Sequence, residues 1–205
     1  MKREDIYFEA LRTRDKRFDG KFFVGVKTKK DETEGAHSMK KEVNLKQCTL
    51  SSTIGPLHLV ASDRGLRGVY WKKQRFATVE NLAANSKGAI RHLREAAAQL
   101  EEYLEGRRKK FNLAIDLDVG TEFQRKVWAE LARIPYGKTI SYAELARKIS
   151  KEKAVRAVGT ANGRNPLSII VPCHRVIASD GSLGGYAGGL RIKTRLLELE
   201  NSLEP

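Results

Sequence analysis

The chain is 205 residues long and carries 39 Lys and Arg against 25 Asp and Glu, a formal net charge of +14. Two cysteines are too few for a disulfide framework or a four-thiolate zinc site, no run approaches the ~18 apolar residues of a membrane span, and the charged start Met1 to Asp5 has no apolar signal region. What remains is a soluble, intracellular, strongly basic protein, whose charge favours a polyanionic partner.

Residues 1–46 read as a basic arm and linker. One apolar-rich patch, Phe18 to Val26, holds a turn signal at Asp19-Gly20, and the rest of it is expected to form a short strand. From Gln47 the pattern changes. Cys48 to Ser52, Leu57 to Ser62 and Gly68 to Trp71 are predicted strands, separated by turn signals at Ile54-Gly55-Pro56 and Asp63-Arg64-Gly65, which makes an antiparallel meander. Ile90 to Glu105 repeats apolar residues at three- and four-residue spacing (Leu93, Ala96, Ala97, Leu100, Tyr103, Leu104) and predicts a helix. Phe111 to Leu117 alternates as a strand would.

The remainder is mostly helical. Glu122 to Ala132 places Phe123, Val127, Trp128 and Leu131 on one face, and Pro135-Tyr136-Gly137 ends it. Ser141 followed by Glu144 predicts a capping box for a helix over Tyr142 to Ile149. A second short helix is expected at about Lys153 to Gly163. Two short helices studded with Arg147, Lys148, Lys151, Lys153, Arg156 and Arg164 fit a helix-turn-helix, or equally a helical hairpin with a solvated basic face.

Chemistry is concentrated between Asn165 and Glu200. The apolar run Leu167 to Val171 leads into Pro172-Cys173-His174-Arg175. The plain reading is a buried cysteine beside a surface histidine. The reactive reading is a thiol ionised by a neighbouring imidazole, oriented in turn by Glu198 or Glu200. Cys48, Cys173 and the four histidines lack metal-ligand spacing, so no metal is expected. The glycines from Gly184 to Gly189 match no dinucleotide or Walker spacing; they suit a loop that a flat ligand can approach closely.

Pro172-Cys173-His174-Arg175-Val176-Ile177 resembles the active-site signature of the O6-alkylguanine-DNA alkyltransferase family. The likeness extends over Phe123-Gln124 with Val127-Trp128, Ile134-Pro135-Tyr136-Gly137, Ser141-Tyr142 with Leu145-Ala146, Arg156-Ala157-Val158-Gly159 and Ala161-Asn162-Gly163-Arg164-Asn165-Pro166. It continues through Gly184 to Leu190 and Leu196 to Glu200. Ile54-Gly55-Pro56-Leu57 and Ala61 to Leu66 resemble the family's N-terminal strands, so the likeness covers about residues 47–201.

This resemblance implies an α/β (α+β) fold: a small antiparallel-sheet subdomain at 47–120, then a helical subdomain at 121–205 containing a helix-turn-helix. It implies direct repair of double-stranded DNA containing O6-alkylguanine, with thymine O4 as a lesser substrate, by irreversible transfer of the alkyl group to Cys173. His174 is then the water-mediated base oriented by Glu200, Asn165 braces the active-site turn, and Tyr142 donates a proton toward guanine N3. Arg156 is the residue that fills the stack when the nucleotide is extruded through the minor groove, with Ala157, Thr160, Asn162, Gly163 and Arg164 on the DNA-binding surface. Tyr186, Ala187, Gly188 and Val176 line the base pocket; the family often has Ser where this chain has Ala187.

No cofactor, membrane or obligate protein partner is implied. A monomer is expected, in the cytoplasm of a bacterium or the nucleus of a eukaryote. Ala10 to Asp15, Asp19 to Phe22 and Val26 to Thr28 also resemble the opening of an Ada-type phosphotriester-repair domain. The expected Cys-Arg-Pro-x-x-Cys zinc motif is replaced by Lys29-Lys30-Asp31-Glu32, so the arm reads as a truncated remnant. The rival reading is a non-catalytic DNA-lesion binder of the alkyltransferase-like kind, which keeps the arginine but lacks the cysteine. Cys173, His174 and Glu200 together argue against it. A transcription regulator would need a second DNA-binding domain, for which residues 1–46 are too short.

Overall fold

The computed structural model describes residues 45–82 and 86–201. The strand expected within Phe18–Val26 and nearly all of the 1–46 arm lie outside those residues.

Three antiparallel strands form the meander: β1 (Lys46–Leu50), β2 (Leu57–Ser62) and β3 (Gly65–Tyr70). The two-residue strand β4 (Ala77–Thr78), absent from the sequence reading, adds in parallel to β1, giving the order β3-β2-β1-β4. It is held there by Gln47, whose side chain donates to the carbonyls of Gln74 (2.8 Å) and Phe76 (2.5 Å).

Helix α1 (Gly88–Leu104) lies on this sheet and buries Leu93, Ala96, Leu100 and Tyr103, the stripe that its spacing predicts. Each large apolar side chain so buried contributes about 1.5–3 kcal/mol. Its own N-cap, Lys87, offers no side-chain bond; instead Asp63 in the β2–β3 turn accepts from Ala89 N at 3.0 Å. Gly88 makes this remote cap possible. Its φ is +57°, and a Cβ there would stand 2.4 Å from Asp63 Oδ1.

The predicted strand over 111–117 is corrected. That segment runs beside β3 but makes only one bridge, Leu66 with Ile115, through Leu66 N to Ala114 O (2.8 Å) and Asp116 N to Leu66 O (2.9 Å). A buried side-chain cluster replaces the ladder: Asp116 accepts from Ser62 Oγ at 2.5 Å and Arg67 at 3.2 Å, and pairs with Arg64 at 2.9 Å.

Helix α2 (Glu122–Leu131) opens with a full capping box between Thr121 and Gln124, which the sequence reading did not name. Helix α3 (Tyr142–Lys148) is capped by Ser141 Oγ accepting from Glu144 N at 3.0 Å, which is half of the expected box. The Glu144 carboxylate turns instead to Lys148, 3.7 Å away. Ser150, with φ +56°, ends α3: Ser150 N reaches Arg147 O and Lys151 N reaches Ala146 O, both at 2.9 Å. After a short 3-10 turn (Glu152–Ala154), α4 (Val155–Gly163) packs against α3 and α2, where Trp128 Nε1 donates to Ala161 O at 2.8 Å. Helix α5 (Leu190–Leu199) closes the fold. The buried apolar side chains form one cluster running from Cys48 in β1 to Leu196 in α5.

Candidate active site

Residues 165–175 form a tightly braced loop. Asn165 spans it: its Oδ1 accepts from Leu167 N at 3.0 Å, and its Nδ2 donates to Val171 O at 2.8 Å. Within it, Ile169 has φ +74°, a left-handed conformation that a β-branched residue adopts at a cost of order 1–3 kcal/mol. Backbone bonds on both sides hold it, including Val171 N to Leu167 O and Cys173 N to Val171 O, each 2.8 Å. From the sheet, Val69 N donates to Pro166 O at 2.8 Å, so the meander grips the same loop.

The loop delivers Cys173 into a 3-10 turn (Cys173–Arg175), which passes into β6 (Val176–Ile177). Strand β6 pairs in parallel with β5 (Ile140–Ser141), which feeds directly into α3. That two-residue pairing sets Tyr142, the first residue of α3, beside the reactive segment. Cys173 is 3% exposed and His174 fully buried. The expected surface histidine of the plain reading is therefore absent.

Glu200 is the carboxylate that folds back. Its Oε1 lies 3.0 Å from His174 Nε2 and accepts from Arg175 at 2.7 Å and from the Tyr103 hydroxyl. Its Oε2 accepts from Arg175 Nε at 2.8 Å and faces Gly137 N at 3.4 Å. Glu198, the other candidate, is exposed and pairs with Arg195 at 3.7 Å. Burial pushes the Glu200 carboxyl up, but the hydrogen bonds and charges of His174 and Arg175 outweigh it and bring it down to about 2.

An anionic Glu200 fixes the His174 tautomer with its proton on Nε2. The other nitrogen, Nδ1, is buried with no hydrogen-bond partner among the described residues and is left as an acceptor. Burial lowers the His174 pKa against the opposing pull of Glu200, so the imidazole rests neutral. Burial raises the Cys173 thiol, opposed by the Asn165 side chain, the Lys193 charge and backbone N–H groups. The resting pair is a protonated thiol beside a neutral base.

Tyr142 is half-buried; its hydroxyl is held protonated by burial and by the proximity of Cys173, with a hydrogen bond to Asn162 pulling the other way. Its ring lies 3.8 Å from the Cβ position of Gly159 on α4, and a Cβ at Gly184 would come within 2.9 Å of it. Of the expected pocket residues, Ala187 is exposed, Tyr186 is half-buried with a sealed hydroxyl that has no partner among the described residues, and Gly188 lies against the Trp71 indole. Val176 is fully buried, and its carbonyl accepts from Lys193 Nζ at 2.6 Å.

Arg156, Ala157, Thr160, Gly163 and Arg164 are exposed along α4, as are Arg147, Lys148, Lys151 and Lys153 before it. Asn162 is a correction. Expected on the DNA-binding surface, it is 3% exposed and points inward, with Nδ2 donating to Cys173 O at 3.4 Å. The face of α4 that turns toward Cys173 is the one that carries it.

Four residues of the site escaped the sequence reading: Tyr103, Arg175, Lys193 and Trp71. Only Lys193 carried a signal, a lysine at a core-facing position of the α5 repeat. Among the described residues, no group of three or more His, Cys, Asp and Glu could hold a metal, and no helix is long and apolar enough to cross a membrane. The arrangement suits a thiol that is activated in place, next to a half-buried hydroxyl proton donor and a basic helical face.

Two family models match the chain. Residues 45–117 match the ribonuclease-like domain, and residues 122–202 the DNA-binding domain, of 6-O-methylguanine DNA methyltransferase. The chain is 46% identical over 155 residues to a methylated-DNA–protein-cysteine methyltransferase of Methanosarcina barkeri, covering 75% of this chain and 95% of the relative. It is 47% identical over 153 residues to the inducible enzyme of that name from Bacillus subtilis, covering 74% and 82%. A crystal structure of Mycobacterium tuberculosis OGT in complex with DNA superimposes with a TM-score of 0.66 at 42% identity, covering 77% of this chain and 93% of that one.

Proposed function

The chain belongs to the 6-O-methylguanine DNA methyltransferase family, and from that membership we propose how its residues divide the work of repair. The protein is a methylated-DNA–protein-cysteine methyltransferase that restores alkylated DNA by direct reversal. Its partner is DNA. The finer reading is that the substrate is O6-alkylguanine in a duplex, that the protein acts once as a monomer, and that Cys173 is the acceptor.

One observation supports this reading most strongly. A buried thiol adjoins a histidine whose Nε2 is tied to Glu200 and whose Nδ1 has no partner among the described residues. In the reaction, the Cys173 proton passes through a water to His174 Nδ1. The thiolate attacks the alkyl carbon, a C–S bond forms, and the C–O6 bond breaks with its electron pair passing to the guanine. Tyr142 supplies the proton that neutralises the departing base at N3, so charge is quenched where it develops. Asn165 and Asn162 hold the loop that presents the sulfur.

A stacked guanine cannot offer its alkyl carbon to a sulfur this deeply buried, so the nucleotide is turned out of the helix. Exposed Arg156 then fills the vacated stack, and the loop from Gly184 to Gly189 receives the base against Tyr186 and Gly188. Functional organisation follows the subdomain division 47–120 and 121–205, with the reacting groups all in the second.

Intact mass measurement after incubation with an O6-methylguanine duplex tests the reading. The wild-type protein gains one methyl group, located on Cys173 by peptide mapping, and Cys173→Ala gains none while still binding the duplex. A methyl gain by Cys173→Ala, or a gain mapped elsewhere, would sink it.

A further inference from the structure

Helix α1 belongs to the sheet subdomain, yet its last buried residue enters the reactive cluster. Tyr103 is fully buried, and its hydroxyl donates to Glu200 Oε1 from 97 positions away in sequence. The same hydroxyl lies 3.5 Å from His174 Nε2. Thus three donors converge on one carboxylate oxygen: Tyr103, His174 and Arg175. The Tyr103 ring is wedged between Phe111, at a centroid distance of 5.2 Å, and Tyr136, at 6.2 Å, so its hydroxyl is held in place. Tyr136 is anchored in turn by its own hydroxyl, which donates to Leu199 O at 2.9 Å.

We propose that Tyr103 is a positioning residue for alkyl transfer: by donating to the Glu200 oxygen that His174 also uses, it limits the negative charge His174 feels and keeps that imidazole a neutral proton acceptor. This rests on the reading of Cys173 as acceptor and His174 as its base.

A carboxylate oxygen that already accepts a hydrogen bond from a phenol attracts an imidazolium less strongly. The groups facing His174 are Tyr103 from α1, Lys193 from α5 and Glu200 at its C-terminal cap, Arg175 beside it in the chain, Cys173 before it, and the Tyr186 ring at 6.4 Å. Of these, only Glu200 is anionic at rest, so its charge is what can hold a proton on His174. Arg175 and Lys193 oppose it by repulsion. Tyr103 opposes it at the oxygen itself. Remaining protonated is no difficulty for this phenol: burial, followed by the Glu200 charge, raises its pKa far above the ordinary range.

Removing the hydroxyl should release charge to His174 and raise its protonation midpoint. The base is then lost at a higher pH, and the acid limb of the transfer rate moves upward. Tyr103→Phe should shift that limb up by about half a unit, which lowers the rate about three-fold on the acid side. Affinity for the duplex should be unchanged. 3-Fluorotyrosine at position 103, a stronger donor of nearly the same shape, should shift the limb down.

The experiment measures single-turnover methyl transfer from an O6-methylguanine duplex across pH for the three proteins. The 15N titration of the His174 ring is followed in the same samples. Opposite shifts in the two variants, matched in the ring titration, support the proposal. An acid limb and ring midpoint that stay in place in the fluorinated protein overturn it, even if Tyr103→Phe fails to fold. Failure of the wild-type protein to accept a methyl group would instead overturn the reading of Cys173.

Discussion

Arg175 grips both oxygens of Glu200, with Nε 2.8 Å from Oε2 and a terminal nitrogen 2.7 Å from Oε1, and both side chains are buried. The third guanidinium nitrogen donates to Ile134 O at 2.6 Å. This is bidentate recognition that a lysine cannot reproduce. Removing one partner leaves the other charge buried and unpaired. Arg175→Met should therefore cost about 3–5 kcal/mol of folding stability, and Arg175→Lys only partly less. Denaturant unfolding reads the loss; a change below about 1 kcal/mol would show that water reaches Glu200 freely.

The same carboxylate makes the fold sensitive to acid. The folded-state pKa of Glu200 lies at about 2, well below the 4.5 of an ordinary glutamate. A depressed acid contributes stability above its unfolded pKa, and that contribution is lost as pH falls through the folded one. The gap corresponds to about 3 kcal/mol. Unfolding free energy should decline from about pH 4.5 toward pH 2, and Glu200→Gln should flatten that decline. Parallel curves for the two proteins would contradict the assignment.

The parts of this picture legible in sequence are those with local causes. Ser141 caps α3 through Glu144 N, three residues on, and the α1 stripe follows from helical spacing alone. The Cys173-His174 pair is adjacent in the chain. Tyr103, Arg175 and Lys193 are different, since their partners lie 97, 25 and 17 positions away. Tyr103 was readable only as an apolar member of its helix. Asn162 was misplaced for a related reason. Its neighbours on α4 are exposed, and only the tertiary rotation of the helix turns this one position toward Cys173. Alternation over 111–117 was real, but Asp116 with Ser62 and the two arginines supplanted the ladder it suggested.

Gly188 and Trp71 share a surface on which there is no room for a methyl group. A Cβ at Gly188 would stand 2.7 Å from the indole Cε2. The indole also meets the Tyr186 ring edge-on at 5.7 Å, so displacing it disturbs the whole glycine loop. Gly188→Ala should slow methyl transfer about ten-fold or more, since sub-ångström misplacement is costly in a positioned site. Trp71→Leu in the same chain should restore part of the rate. Additive losses in the double variant would show that the two positions act separately.

Arg156 should reveal itself by what it does not change. It is exposed on α4 among several other cations, and bulk affinity for undamaged duplex is expected to be shared among them. Arg156→Ala should weaken that affinity by no more than one phosphate contact, a change of about 0.9 in the salt slope. Extrusion of the target base, followed by the fluorescence of a base analogue, should fall far more steeply. Equal losses in both measurements would reduce Arg156 to an ordinary backbone contact.

Lys193 is a buried cation on α5 whose charge reaches the reactive sulfur. Its Nζ donates to the carbonyls of Val176 and Leu183, and its charge acts on Cys173. Burial lowers its pKa from 10.5 to about 8, with Cys173 pulling the other way. Near neutrality it is therefore still a cation, and it favours the thiolate form of Cys173. As pH rises through about 8, that support is withdrawn. Lys193→Met keeps most of the packing but removes the charge and leaves two carbonyls unpaired. The Cys173 thiol should then titrate at a higher pH, seen as a shifted pH dependence of its reaction with iodoacetamide, and transfer at neutral pH should slow about ten-fold. A slower transfer with an unmoved thiol titration would assign Lys193 to holding the 176–183 loop and not to the charge on sulfur.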